Sequence, residues 1–236
     1  MRRLNGPRLL LLFVVTALAL RLYDFVNNQS EYLPWMPLSL SDPIGRFTVR
    51  KLGELRDHPR KCYALLHKAD IHYSPLPPVH GPGTCGYSDG IRLANGTGLD
   101  YGPPFAAACS LAASLHIWSH QVLEPAAYRH FRKPVVQIQT FGTYACRTIG
   151  NAEGGAMSQH ATANAIDVIV FRLQDGRRVT LSASWDDQGP AGAFLRDVRN
   201  GACTVFATTL SPDYNPAHHD HLHFDLARRG GWSFCR

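Results

Sequence analysis

Four of the chain's twelve histidines crowd into one short segment, PAHHDHLHFDL, at Pro216–Leu226. Toward its end polar and apolar residues alternate, which predicts a strand over HLHFDL. Successive side chains of a strand point to opposite faces. His221, His223 and Asp225 therefore share one face, and Leu222, Phe224 and Leu226 share the other. The apolar face packs on a core. A row of two imidazoles and a carboxylate is costly to bury without partners. It makes sense on a cleft wall where a cation is held.

A second segment offers the missing ligands. In SQHATANAIDVIV, Asp167 sits between Ile166 and Val168 inside an apolar strand, where a carboxylate is rarely buried alone. Ala165, Asp167 and Ile169 share a face by parity. His160 lies in the loop leading into that strand and can fold back over it. His160, Asp167 and one histidine of the last strand, His221 or His223, make a set of two nitrogens and one oxygen. That set leaves a fourth position open on a tetrahedral Zn2+, the arrangement of a catalytic site. Water held there becomes a nucleophile near neutral pH. Arg147, in TYACR, is placed at the end of a strand just before this loop, where a guanidinium can hold a substrate carboxylate or an oxyanion.

The elements that must position these groups are legible as patterns. FTVRKLGELRDHPRKCYALLHKAD reads as helical pieces broken near Pro59. SPLPPVHGPGTCGYSDG reads as loop, pinned through Cys85. Leu111, Leu115, Trp118 and Val122 share one helical face, and that helix is expected to end near Pro125 or His130. VVQIQTFGTYACR, NAIDVIVFRL and VTLSASW read as strands, and GAFLRDVRNGAC as a short helix closed by Gly201. Strands with short connections dominate after Val135, so the fold class is α+β with a mainly antiparallel sheet.

Composition narrows the setting. The chain has 236 residues and a net charge of +6, with no basic stripe interleaved by aromatics, so nucleic acid is not an expected partner. Arg2, Arg3 and Arg8 precede an unbroken apolar run from Leu9 to Leu20. Arg21 can snorkel, and Leu22, Tyr23, Phe25 and Val26 extend the run. Residues 1–26 are read as an uncleaved signal-anchor rather than a cleaved signal, with the amino terminus held in the cytoplasm. Residues 27–46 read as a linker and 47–236 as one domain. Six cysteines, none in a C-x-x-C pair, all follow the apolar run. They predict three disulfides in an exported domain, with connectivity open.

SQHATANAID resembles the S-x-H-x-x-G-x-A-x-D signature of the zinc D-alanyl-D-alanine metallopeptidases, whose superfamily includes lysostaphin-type endopeptidases, murein endopeptidases and the hedgehog fold. Ser158, His160, Ala165 and Asp167 fit it, and Ala163 stands at its glycine. His218, Asp220, His221 and His223 resemble the close of the murein endopeptidases. FGTYACR, HATANAIDV, GAFLRDVRNGAC, LSPDYNPAHHDHLHFDL and the anchored amino end together resemble the bacterial extensin-like carboxy-terminal domain family, from about Phe47 to Cys235. The resemblance implies a hedgehog/D-Ala-D-Ala peptidase-like fold and zinc held by His160, Asp167 and His223. It implies a general base at Asp220 or His221. Parity favours His221, and the carboxypeptidases' Glu is replaced here by the shorter Asp220. The implied activity is hydrolysis of peptidoglycan peptide crosslinks, by a domain in the periplasm tethered through a single-pass helix in the bacterial inner membrane. The alternative expectation is a metal-containing domain that binds wall or a partner protein without cutting.

Overall fold

The apolar run near the amino end forms one helix, α1 (Gly6–Asn28). The computed structural model describes residues 6–28, 32–93 and 99–236; the expected basic pair Arg2 and Arg3 lies outside them. Leu9, Phe13, Leu18, Leu22 and Phe25 are all exposed. A helix apolar on every side needs an apolar surround, and none of the described residues covers it. Its 21-residue stretch Gly6–Val26 is long and apolar enough to cross a membrane. Arg21 does not interrupt it.

The residues expected to link helix and domain are not free throughout. Leu40 is buried, and Leu38 and Ile44 pack on the core. Gln121 accepts from the Ile44 N–H and donates to the Asp42 carbonyl. The helical pieces follow as α2 (Thr48–Glu54), a 3-10 turn at Leu55–Asp57, and α3 (Pro59–Lys68). Pro59 starts α3 because a first-turn residue needs no N–H. Next come β1 (Tyr73–Pro75), β2 (Val79–His80), β3 (Gly86–Tyr87), β4 (Gly90–Leu93) and β5 (Ala106–Ala108). Strands β1, β4 and β5 form an antiparallel sheet in the order β1-β4-β5. The Pro- and Gly-rich stretch expected as loop contains the β2–β3 hairpin. Gly86 makes it possible, with φ +118 and no room for a Cβ, which would lie 1.9 Å from the Val79 carbonyl oxygen.

Helix α4 (Cys109–Trp118) is buried almost throughout. The chain then widens into a π-helical turn at Ser119–Leu123 before α5 (Glu124–Phe131). Pro125 cannot donate to the preceding turn, and a local widening absorbs the break. The main sheet comprises β6 (Val135–Gly142), β7 (Ala165–Leu173), β8 (Arg178–Thr180), β9 (Thr208–Leu210), β10 (Leu222–Asp225) and β11 (Phe234–Cys235). Its order is β11-β9-β10-β7-β6, with β8 also on β7, and only β9 and β11 run parallel. The fold is thus α+β with antiparallel sheets. VTLSASW, expected as a strand, is half helix: α6 spans Leu181–Ser184. Leu181 and Trp185, both buried, are spaced for one helical face, and that burial outweighs the alternation. Helix α7 (Pro190–Ala202) runs past Gly201 instead of closing on it.

The core decides which way the last strand faces. Phe224 lies between Trp118 and Phe206, with ring centroids at 5.2 and 4.9 Å. A one-residue slip would expel it. With Leu222 and Phe224 fixed inward, His223 and Asp225 must face the other side. The cysteines form three disulfides: Cys62–Cys109 joins α3 to α4, Cys85–Cys146 ties the β2–β3 hairpin to the chain after β6, and Cys203–Cys235 joins the end of α7 to β11. Such crosslinks persist outside the cytoplasm.

Gly201 is a close-contact residue. A Cβ there would lie 2.2 Å from Cγ1 of Val122, a stiff β-branched side chain. Gly201→Ala should therefore lower unfolding free energy by ~1–3 kcal/mol in denaturant titration. Adding Val122→Ala should restore part of that loss.

Candidate metal centre

The site is built where β7 and β10 pair. His223 stands directly opposite Asp167, and Phe224 opposite Ile166. Directly opposed residues share a face, so the carboxylate meets the imidazole across the ladder. His160 comes from a 3-10 turn, Gln159–Thr162, that leads into β7. Ser158 caps this turn, accepting the His160 N–H. The turn ends at Ala163 with φ 52, a left-handed conformation. That region favours glycine, and here alanine adopts it.

The three side chains converge. His160 Nε2 is 3.2 Å from Asp167 Oδ2 and 3.2 Å from His223 Nδ1, and His223 Nδ1 is 2.9 Å from Asp167 Oδ1. All three residues are buried. The outer ring nitrogens have acceptor partners: His160 Nδ1 lies 2.9 Å from the Thr143 carbonyl and His223 Nε2 lies 3.0 Å from Asp225 Oδ2, so both donate. In the neutral rings this leaves lone pairs on His160 Nε2 and His223 Nδ1, beside the Asp167 carboxylate. Ligands at ~2.0 Å from a small tetrahedral ion stand about 3.3 Å apart, close to the separations here. The donor set fits a divalent cation, and the outer partners are the kind that orient metal-bound histidines.

Without a cation a proton must fill the gap. Burial alone would lower the His223 pKa, but its hydrogen bonds to Asp167 and Asp225 win and raise it to about 9. Burial would likewise raise Asp167, yet the hydrogen bonds from His160 and His223 hold it far below the usual carboxylate range.

The remaining expected residues stand around this centre. His221 precedes β10, with Nδ1 2.8 Å from Asp220 Oδ1 and Nε2 3.7 Å from Asp167 Oδ1. Asp220 and His221 are therefore one hydrogen-bonded pair, with the His221 Nε2 on the side of the centre. The hydrogen bond from His221 also lowers the Asp220 pKa. Arg147 lines the same cleft but does not end a strand, because β6 stops at Gly142. It lies in the following loop, beside the disulfide-bonded Cys146, and its guanidinium has no hydrogen-bond or ion-pair partner among the described residues. A bulge at Phe141, where Thr140 and Gly142 face the consecutive Val168 and Asp167, pushes that ring outward to 5.7 Å from His221. Phe141, Tyr144, Ile149 and Tyr214 supply apolar walls to a cleft of about 570 Å3, a size suited to a ligand.

Several positioning groups escape sequence reading. Asp225 was visible as a third polar residue on the face, but its bond to His223 was not. Gln159 Oε1 accepts from both Arg56 (3.1 Å) and Asn164 (3.0 Å), and Ser110 bonds Asn164 from α4. Ala145 N–H bonds the His160 carbonyl. Gln159 and Asn164 lie inside the motif, but nothing near Arg56 in the chain marks its role.

A family model described as "Extensin-like protein C-terminus" matches residues 60–236. No curated protein and no solved structure matches the chain. The match covers well over half of the sequence, and the chain belongs to the extensin-like family.

The sign of the pH dependence follows from His223. Its folded pKa of about 9 lies above the unfolded value of ~6.5. In chelator, the stability this group contributes should be fully present below about pH 6.5 and lost as pH rises through about 9. Thermal unfolding of the full chain across that range should show the decline, and Asp225→Asn should flatten it.

Proposed function

Starting from a member of the extensin-like family that carries this cluster, we propose a zinc-dependent peptidase that hydrolyses peptide crosslinks of bacterial peptidoglycan. The fold is taken to be of the hedgehog/D-Ala-D-Ala peptidase kind. The domain works in the periplasm, held to the inner membrane by α1. One observation carries the reading: ring nitrogens of His160 and His223 and the Asp167 carboxylate lie within 3.2 Å of one another, beside a histidine already hydrogen-bonded to a carboxylate. Two nitrogens and one oxygen leave one corner of a tetrahedral zinc for substrate or water.

Bound zinc would supply Lewis acidity, making water nucleophilic near neutral pH and polarising the scissile carbonyl. The chain's own residues do the rest. His160, Asp167 and His223 would hold the ion, with Thr143 and Asp225 fixing the two rings. His221 accepts the proton of the attacking water on Nε2, since its Nδ1–H is committed to Asp220. It then delivers that proton to the leaving amine. Arg147, without a side-chain partner among the described residues, receives a substrate carboxylate or the developing oxyanion. The apolar walls exclude water from the peptide.

The test uses the full chain in detergent and purified peptidoglycan. Wild type should retain one zinc per chain through dialysis and release peptide fragments from the wall. His223→Ala should lose both the zinc and the release. His221→Ala should keep the zinc and lose ~10²–10⁴-fold in rate, and Asp220→Asn should fall between. Zinc retained and wall bound, with no fragment released from any wall preparation, would replace this reading with that of a non-catalytic wall-binding domain.

A further inference from the structure

A second groove, of about 410 Å3, opens beside the metal cleft. The two share Ala227 and Arg229 on their walls. The Ala227 N–H is bonded at 2.8 Å to Asp225, the residue that orients His223. The groove thus begins where the metal-bearing strand ends.

Its lining has a definite chemistry. Trp232 stands at one side, 80% exposed, after Gly230 and Gly231, both at positive φ. Two ion pairs line the same groove. Arg50 Nε lies 2.8 Å from Glu54 Oε1, and Arg228 pairs with Asp57. Arg50 and Arg228 each have their own carboxylate, while Arg229 has none among the described residues. The groove therefore presents planar donors and acceptors in pairs with one additional cation at the wall it shares with the metal cleft. Arg229 is held at the shared wall by Thr208 (3.0 Å) and by the Phe234 ring (5.2 Å).

A flat exposed indole suits the C–H face of a pyranose ring, which is apolar while its edge is polar. Paired carboxylate and guanidinium groups suit hydroxyl and acetamido substituents. We propose that this groove binds the glycan strand of the wall, an N-acetylated aminosugar polymer, while its attached peptide enters the metal cleft. The inference rests on the peptidoglycan reading of that cleft. It makes the polymer, rather than the free peptide, the substrate, with Trp232 as a specificity-determining residue.

The probe is glycan strands stripped of peptide by an amidase, titrated calorimetrically into the full chain in nanodiscs. Wild type should bind them, Trp232→Ala should bind about tenfold more weakly, and Trp232→Phe should keep most of the affinity. Both Trp232 variants should retain metal as wild type does. His223→Ala should bind the strands as wild type does, which separates this site from the metal centre. Loss of peptide release with glycan binding intact would sink the peptidase reading alone and support the groove. Absence of glycan binding by wild type, or equal binding by Trp232→Ala, would overturn the groove even if peptides are cleaved. Quenching of Trp232 by brominated lipid, with no response to glycan, would assign the indole to the membrane and overturn it too.

Discussion

Three electron-rich groups aimed at one another in a buried corner repel unless positive charge lies between them. Each outer partner, the Thr143 carbonyl and the Asp225 carboxylate, takes a ring N–H on the outside, which in the neutral rings leaves a lone pair inward. The interior amplifies the conflict, because charges there interact more strongly than in water. A proton on His223 satisfies it partly. A divalent ion would satisfy all three groups at once, which is the ground for the metal site proposed above. Removing one partner of such a set leaves the others uncompensated.

The rest of the fold can be understood as holding that conflict in place. Phe224, caught between Trp118 and Phe206, fixes the register of β10 and so the face that His223 presents. The β7–β10 pairing places Asp167 across from it. The turn carrying His160 is tied at Ala145, Thr143, Ser158 and Gln159, and Arg56 reaches Gln159 from the 3-10 turn after α2. The Cys85–Cys146 bond fastens the loop that carries Arg147. Rigid support of this kind suits a site that has to keep one coordination position free.

Much of this was legible in the chain, for a physical reason. Strand parity is local, so HLHFDL and NAIDVIV declare their faces without knowledge of the fold. It became misleading only where the backbone departs from regularity. Between Val168 and Val170 the ladder slips, and the core positions of β7 pass from Ile166 and Val168 to Phe171 and Leu173. The alanines of β5 carry no strand signal, and β4 decides their conformation. Gly201 looked like a helix stop, but it marks the close approach of α7 to Val122. Strand parity favoured His221 over Asp220 as the base, because adjacent residues face opposite ways on a strand. Both lie just before β10, where that rule lapses and the two can bond. Arg56 could not be found, since its partner Gln159 is distant in sequence and no local pattern joins them.

X-ray absorption at the zinc edge of the full chain tests the coordination directly. The account predicts a shell of about four nitrogen and oxygen neighbours at ~2.0 Å, with outer scattering from two imidazoles. A sulfur shell at ~2.3 Å, or a six-oxygen shell without imidazole scattering, would contradict it.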